Sequence, residues 1–211
     1  MAKGKAQKSR RTRPDGELSR ARILDAATEI AAERGYEGTS IALVSTKCGL
    51  PASSIYWHFK DKDDLIAAVI ERSFGAWESA WDVPEEGDAE ELYRSLATQI
   101  AKAYLDAPDF FRIGMMLALE RRPTEARART MFMQVRVQAF EQMRENSRKF
   151  TPELTDSEAH QLAIYAMAGA DGLFVAKEIG GDAVDLVALF DLHGRALYDM
   201  AHRMVDKRTI R

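Results

Sequence analysis

The chain has 211 residues, 46% of them hydrophobic, and a formal net charge of −3, enough for one large or two small domains around a buried core. A single cysteine, Cys48, excludes an internal disulfide and a thiolate zinc cage. No apolar run approaches the roughly 18 residues of a membrane span, so a soluble, cytoplasmic protein is expected.

The charge is uneven. Residues 1–22 hold Lys3, Lys5, Lys8, Arg10, Arg11, Arg13, Arg20 and Arg22 against Asp15 and Glu17, a net of +6 that leaves −9 for the rest. Residues 1–17 read as a basic, disordered arm, able to meet a polyanion or simply to be solvated, and they lack the apolar stretch of a secretory signal. Beyond them strand signals are nearly absent and helical periodicity dominates. Ile23, Ala27, Ile30 and Ala31 share one face of a first helix, which Gly35 ends. Thr39 or Ser40 can cap a short second helix carrying Ile41, Val44 and Ser45. Gly49 supplies a turn, and Pro51 sits early in a third helix, where its missing N–H costs nothing.

Asp61 caps a longer helix with Asp63 and Asp64 in its first turn; Ile66, Ile70, Phe74, Trp77 and Trp81 run down it. Residues 83–91 break the pattern. Further helices are predicted at about 89–106, 109–120, 123–149, 156–179 and 183–205. The expected fold class is all-α, with about nine helices. An N-terminal three-helix helix-turn-helix domain over 18–65 would precede a helical domain over 66–211.

The stretch from Ile41 to Leu65 carries the chemistry. A helix that enters the major groove must be slim where it meets the bases. Pro51, Ala52, Ser53 and Ser54 open the third helix with small side chains, two of them hydroxyls that can donate or accept. Ile55 and Phe59, four apart, point back into the core, leaving Tyr56 and His58 outside with Lys60 and Lys62 just beyond. Phenol, imidazole and ammonium groups hold phosphates and set register without reading sequence. Thr39 and Ser40, with the free N–H groups at the start of the second helix, make a further phosphate seat. Singly, Tyr56 fits a half-buried core aromatic, His58 a surface residue and Lys62 a solvated charge; the ordered combination carries the reading.

Residues 22–66 resemble the N-terminal domain of the tetracycline-repressor (TetR) family of bacterial transcription regulators. The matching stretches are RILDAATEIAAERGYEGTSI and VSTKCGLPASSIYWHFKDKDDLI. Tyr56, His58, Phe59 and Lys62 occupy the family's Tyr-x-His-Phe-x-x-Lys pattern, Thr39 and Ser40 its hydroxyl positions, and Gly49 its turn. Pro51 stands where the family often has a serine cap. Cys48 replaces a common alanine, which suggests a buried packing role.

The resemblance implies a DNA-binding regulator, commonly a repressor, whose remaining residues dimerise and bind a small effector. For the dimer interface the candidates are Ala159, Ala163, Ala166, Gly169 and Ala170, with Leu189, His193, Leu197 and Met200 on the last helix. Packing within one subunit is the alternative. Candidates for an effector pocket are Trp77, Trp81, Tyr104, Phe110, Phe111, Met115, Met116, Leu119, Met131, Phe132 and Tyr165, a set that suits a largely apolar or aromatic molecule or a plain core. The partners implied are double-stranded DNA, a second copy of the chain and that effector; no cofactor, metal or membrane is implied. An enzyme is disfavoured, because HExxH, P-loop, G-x-S-x-G and G-x-G-x-x-G patterns are missing. Asp199, His202 and Asp206 fit a surface charge cluster better than a metal site. A helical adaptor or structural dimer without sequence-specific DNA binding is the other alternative.

Overall fold

The computed structural model describes residues 12–78, 87–120 and 127–209, with the side chains of 12–14, 76–78 and 208–209 left aside. All the regular structure among them is helical: α1 Thr12–Gly38, α2 Ile41–Cys48, α3 Ala52–His58, α4 Lys62–Glu78, α5 Ala89–Asp106, α6 Pro108–Leu119, α7 Arg127–Phe150, α8 Asp156–Gly180 and α9 Leu186–Thr209, with a single 3-10 turn at Gly181–Ala183. The first helix takes in residues 12–17, which the sequence reading placed in the basic arm. Residues 83–86 of the 83–91 break, and Trp81, lie outside the described residues.

Two compact units are present. One comprises the chain up to Ser73 together with Asp109–Phe132; the other comprises Phe74–Pro108 and Met133 onward.

In the first unit the apolar periodicity does what it predicts. Ile23, Leu24, Ala27 and Ala31 of α1 are buried with Val44, Ile55, Leu65, Ile66 and Ile70, each isoleucine, leucine and valine side chain contributing about 1.5–3 kcal/mol on full burial. The helical path of α1 breaks at Gly35, whose φ is 68°. Ser40 is the N-cap of α2, its hydroxyl accepting from the Leu43 N–H, while Thr39 is buried and donates to the Gly35 carbonyl at 2.8 Å. Gly49 ends α2 at φ 66°, the left-handed region that favours glycine. The Arg22 guanidinium donates to the Cys48 carbonyl at 2.6 Å, so one cation of the basic end closes a helix terminus. Cys48 itself is buried. In the same unit α6 and the start of α7 build an aromatic core: Phe132 meets Phe110 and Phe111 edge-on, with centroids 5.9 and 6.2 Å apart.

The second unit packs α5, the later turns of α7, α8 and α9. Leu92, Leu96, Ile100 and Tyr104 of α5 are buried, as are Leu162 and Phe174 of α8 and Phe190 and Leu197 of α9. The Tyr104 ring stands edge-on to Phe174 and Phe190. Thr155 and Glu158 form a reciprocal capping box at the start of α8.

His193 fills the space above Gly169, where a Cβ would lie 2.3 Å from the imidazole Cε1. Its Nε2 lies 3.0 Å from the Ala166 carbonyl. Burial lowers its pKa below the ordinary 6.5, and the carbonyl contact offsets this only in part. A depressed histidine costs nothing above its unfolded pKa; stability is lost as pH falls from about 6.5 through the folded value. Acidification from pH 7.5 to 5 should therefore lower the melting temperature of the wild type more than that of His193→Gln. Equal acid sensitivity in the two proteins would refute this assignment.

Candidate nucleic-acid interface

The elements of the candidate interface rest on local capping. Pro51 is the N-cap of α3, extended at φ −63° and ψ 149°, one position earlier than the sequence suggests. Its carbonyl accepts from Ser54 N at 2.9 Å. Ser45 donates to the Leu50 carbonyl at 2.6 Å, pinning the turn between α2 and α3. Asp61 caps α4 by accepting from Asp64 N at 2.9 Å, and Asp64 returns the bond to Lys60 N at 3.1 Å.

These restraints fix the outward face of α3. Ile55 and Phe59 are buried beneath it. Ser53 is exposed, Ala52 and Ser54 are half-buried, and Pro51 and Lys60 are exposed. Tyr56 is 57% exposed and Trp57 75% exposed, an unusual display for large aromatics with the core one turn away. Trp57 was not among the predicted contact residues, although the inward assignment of Ile55 and Phe59 already places it outside. His58 stands edge-on to Trp57 at 4.5 Å. Burial lowers its pKa below the ordinary value, and the Arg20 charge lowers it further. Ser53, Ser54, Trp57 and His58 line an open cleft of about 400 Å³ with Asp15, Gly16 and Ser19 of α1.

Two of the predicted phosphate holders are engaged within the protein. The Lys62 ammonium donates to the Tyr36 carbonyl at 3.1 Å, lies 4.2 Å from the Tyr36 ring centroid and pairs with Glu37 at 3.7 Å. The Thr39 hydroxyl is buried as described above. Behind this face Asp63 accepts from the Tyr36 hydroxyl at 3.2 Å and from the N–H groups of Arg127 and Ala128 at 2.6 and 3.1 Å. Asp64 also pairs with the Arg127 guanidinium. The acidic first turn of α4 thus caps the start of α7.

The remaining predicted residues scatter. Phe110, Phe111 and Phe132 form the aromatic core of the first unit, with Met115 and Met131 half-buried there and Met116 and Leu119 exposed. Tyr165 is 50% exposed on α8, and Trp77 lies in α4 with its side chain outside the described residues. Among the described residues of the predicted pocket set, Tyr104 alone lines either of two adjoining cavities in the second unit. The predicted dimer residues Ala159, Ala163, Ala166, Ala170 and Leu197 are buried within this chain; Gly169, Leu189, His193 and Met200 are half-buried. Among the described residues no three His, Cys, Asp or Glu side chains gather as a metal site, Asp199, His202 and Asp206 included. No described helix is long and apolar enough to cross a membrane.

Residues 23–69, the segment that builds this face, match the family model for bacterial regulatory proteins of the tetR family. Over this segment the chain is of the TetR family. It is similar to the HTH-type transcriptional repressor Rv1353c of Mycobacterium tuberculosis, with 31% identity over 99 residues, 47% of this chain and 38% of that relative. It is also similar to the regulator AcrR of Shigella flexneri, with 29% identity over 98 residues, 45% of this chain and 46% of the relative. The matched stretch thus spans less than half the length of either curated relative. The solved TetR-family regulator from Agrobacterium tumefaciens shares the fold over 87% of this chain and 97% of its own, with a TM-score of 0.69 and 20% identity.

Proposed function

We propose that this TetR-family chain is a ligand-responsive regulator that binds a palindromic operator as a dimer and releases it when a small, largely apolar effector binds. Repression is the expected output. One observation carries the DNA reading: Ser53, Tyr56 and Trp57 are exposed together on an α3 whose inward face is fully buried. Ser53 and Ser54 are the proposed base readers; Tyr56, Trp57, His58 and Lys60 hold phosphates, with Ser40 and the N-terminus of α2 as a second seat. Lys62 and Thr39 support the same face from within.

For the dimer, the face of α8 pointing away from its own core presents Ile164, Tyr165, Val175 and Ile179, with Leu192 exposed on α9. Ala168 and Gly172 lie between the α8 residues and are also exposed. A second copy laid across this stripe would pack closely, because small residues let helix backbones approach. The buried alanines would then support the interface from beneath. Effector binding would shift the population toward dimers whose two α3 helices no longer match the half-sites.

Duplex titration against salt tests the reading. Nanomolar-range affinity for a palindrome with a steep salt dependence is expected. Trp57→Ala and Tyr56→Ala should each weaken binding on all sequences by about tenfold, and Lys60→Ala should reduce the salt slope by about one. Ser53→Ala should instead change sequence preference. Binding that ignored all four substitutions would rule the interface out.

A further inference from the structure

The first turns of α1 run beside α3. Gly16 and Arg20, four apart and so on one face of α1, both approach the end of α3. A Cβ on Gly16 would lie 3.8 Å from the Trp57 ring, and the Arg20 guanidinium carbon stands over the Phe59 ring, 5.4 Å from its centroid. One turn further on, Ile23 and Leu24 enter the core. Arg20 itself is exposed, at the rim where Phe59 caps α3.

Neighbouring cations are engaged within the protein. Arg22 donates to the Cys48 carbonyl, Lys47 pairs with Glu29, Arg72 with Asp25, and Lys62 with Glu37 and the Tyr36 carbonyl. Among the described residues no carboxylate pairs with Arg20. Its attraction to Phe59 uses the charge over the ring and no N–H···O bond. The donor fork of the guanidinium therefore remains available to a phosphate. The ring also restrains a long side chain, so less freedom is lost when an anion binds. His58 flanks the same ring, with centroids 6.1 Å apart, and is near enough for the Arg20 charge to disfavour its imidazolium. Asp15 lines the cleft beside His58, but it stands five residues before Arg20, about 7 Å nearer the start of α1.

We propose that Arg20 is a phosphate-binding residue of the DNA interface, seating one backbone phosphate together with His58 at the end of α3. The proposal rests on the regulator reading above and adds α1 to an interface otherwise drawn from α2, α3 and the turn that follows. Arg20 precedes the segment that the family model covers.

A proton balance follows from the seat. An anion between the two groups offsets their repulsion, so His58 holds a proton more tightly when DNA is bound. The complex then carries more protons than the free protein, and duplex affinity falls as pH rises between the free and bound His58 values. The charged groups facing His58 are Arg20 and Asp15 of α1 and Lys60 after α3; of these side-chain types histidine is the one that ordinarily titrates near neutral pH.

Titration of a mixed-sequence duplex against salt tests the assignment, because a phosphate contact needs no operator. Arg20→Met keeps an apolar cover on Phe59 and removes the charge. It should weaken binding about tenfold on every sequence and lower the salt slope by about one per subunit. Arg20→Lys should restore the slope but only part of the affinity, since it lacks the fork. By proton NMR, Arg20→Met should raise the His58 pKa in the free protein, and saturating duplex should raise it in the wild type. The wild-type measurement needs no variant, so it decides the matter even if Arg20→Met is unstable. A His58 titration that duplex leaves unchanged would overturn the proposal, as would wild-type affinity and slope in Arg20→Met. If Trp57→Ala still weakens binding in that case, only this inference is lost. A wild type without salt-dependent duplex binding loses the regulator reading, and this assignment with it.

Discussion

Gly114→Ala is expected to destabilise the N-terminal unit by about 3 kcal/mol, the upper end of the range for overpacking. A Cβ at this position would lie 2.0, 2.2 and 2.6 Å from Cε2, Cδ2 and Cζ of the Phe132 ring. That ring is fully buried and held edge-on by Phe110 and Phe111. It cannot swing aside without displacing both neighbours, so one methyl group disturbs three aromatic side chains. Urea denaturation followed by tryptophan fluorescence measures the loss, and adding Phe132→Leu should recover part of it by vacating the ring's volume. The result also bears on where an effector can go. Were the space around Phe110, Phe111 and Phe132 an open pocket, a methyl group would enter it at little cost. A wild-type denaturation midpoint for Gly114→Ala would therefore overturn the assignment of these rings as close-packed core and revive them as pocket walls.

What could be read from sequence was what local physics decides. Helix ends followed from caps such as Ser40 and Asp61, and from glycine at 49, because those signals act within a turn of the chain. The inward pair Ile55 and Phe59 followed from their spacing. The same spacing exposes Trp57, so its place beside Tyr56 was legible and needed only to be drawn out. Burial without location was the weaker kind of knowledge. Periodicity marks Phe132 and Tyr104 equally as apolar-face residues, yet one lies in a dense aromatic cluster and the other borders a cavity. Alanines 159, 163, 166 and 170 specify a close helix contact but not its owner, and α9 of the same chain already provides one. The pairing of Arg136 with Asp171 joins two helices 35 positions apart in sequence, a distance over which no local pattern operates. Lys62 illustrates the same point in the interface: its position matches the family motif, while its ammonium is directed to the Tyr36 carbonyl by tertiary packing.

Asp63→Ala should cost about 2–3 kcal/mol, although Asp63 is only half-buried and stands in a helix first turn, where alanine is intrinsically well tolerated. The carboxylate accepts from the backbone N–H groups of Arg127 and Ala128 and from the Tyr36 hydroxyl. A lost helix cap is worth up to about 2 kcal/mol, and a lost side-chain hydrogen bond about 1 kcal/mol more. Arg127→Ala provides the control. It removes the exposed guanidinium that pairs with Asp64 but leaves the two backbone donors in place, so it should cost no more than about 1 kcal/mol. Asp63→Asn should fall between the two, since an amide oxygen still accepts but carries no charge against the helix N-terminus. Chemical denaturation ranks the three variants, and duplex titration under folding conditions supplies the functional half. Asp63 adjoins Lys62 at the start of α4, directly after α3, so freeing α7 from that turn should loosen the base on which α3 stands. Duplex affinity should fall for Asp63→Ala and hold for Arg127→Ala. Equal destabilisation by Asp63→Ala and Arg127→Ala would mean that the surface ion pair, rather than the carboxylate cap, fastens the start of α7 to α4.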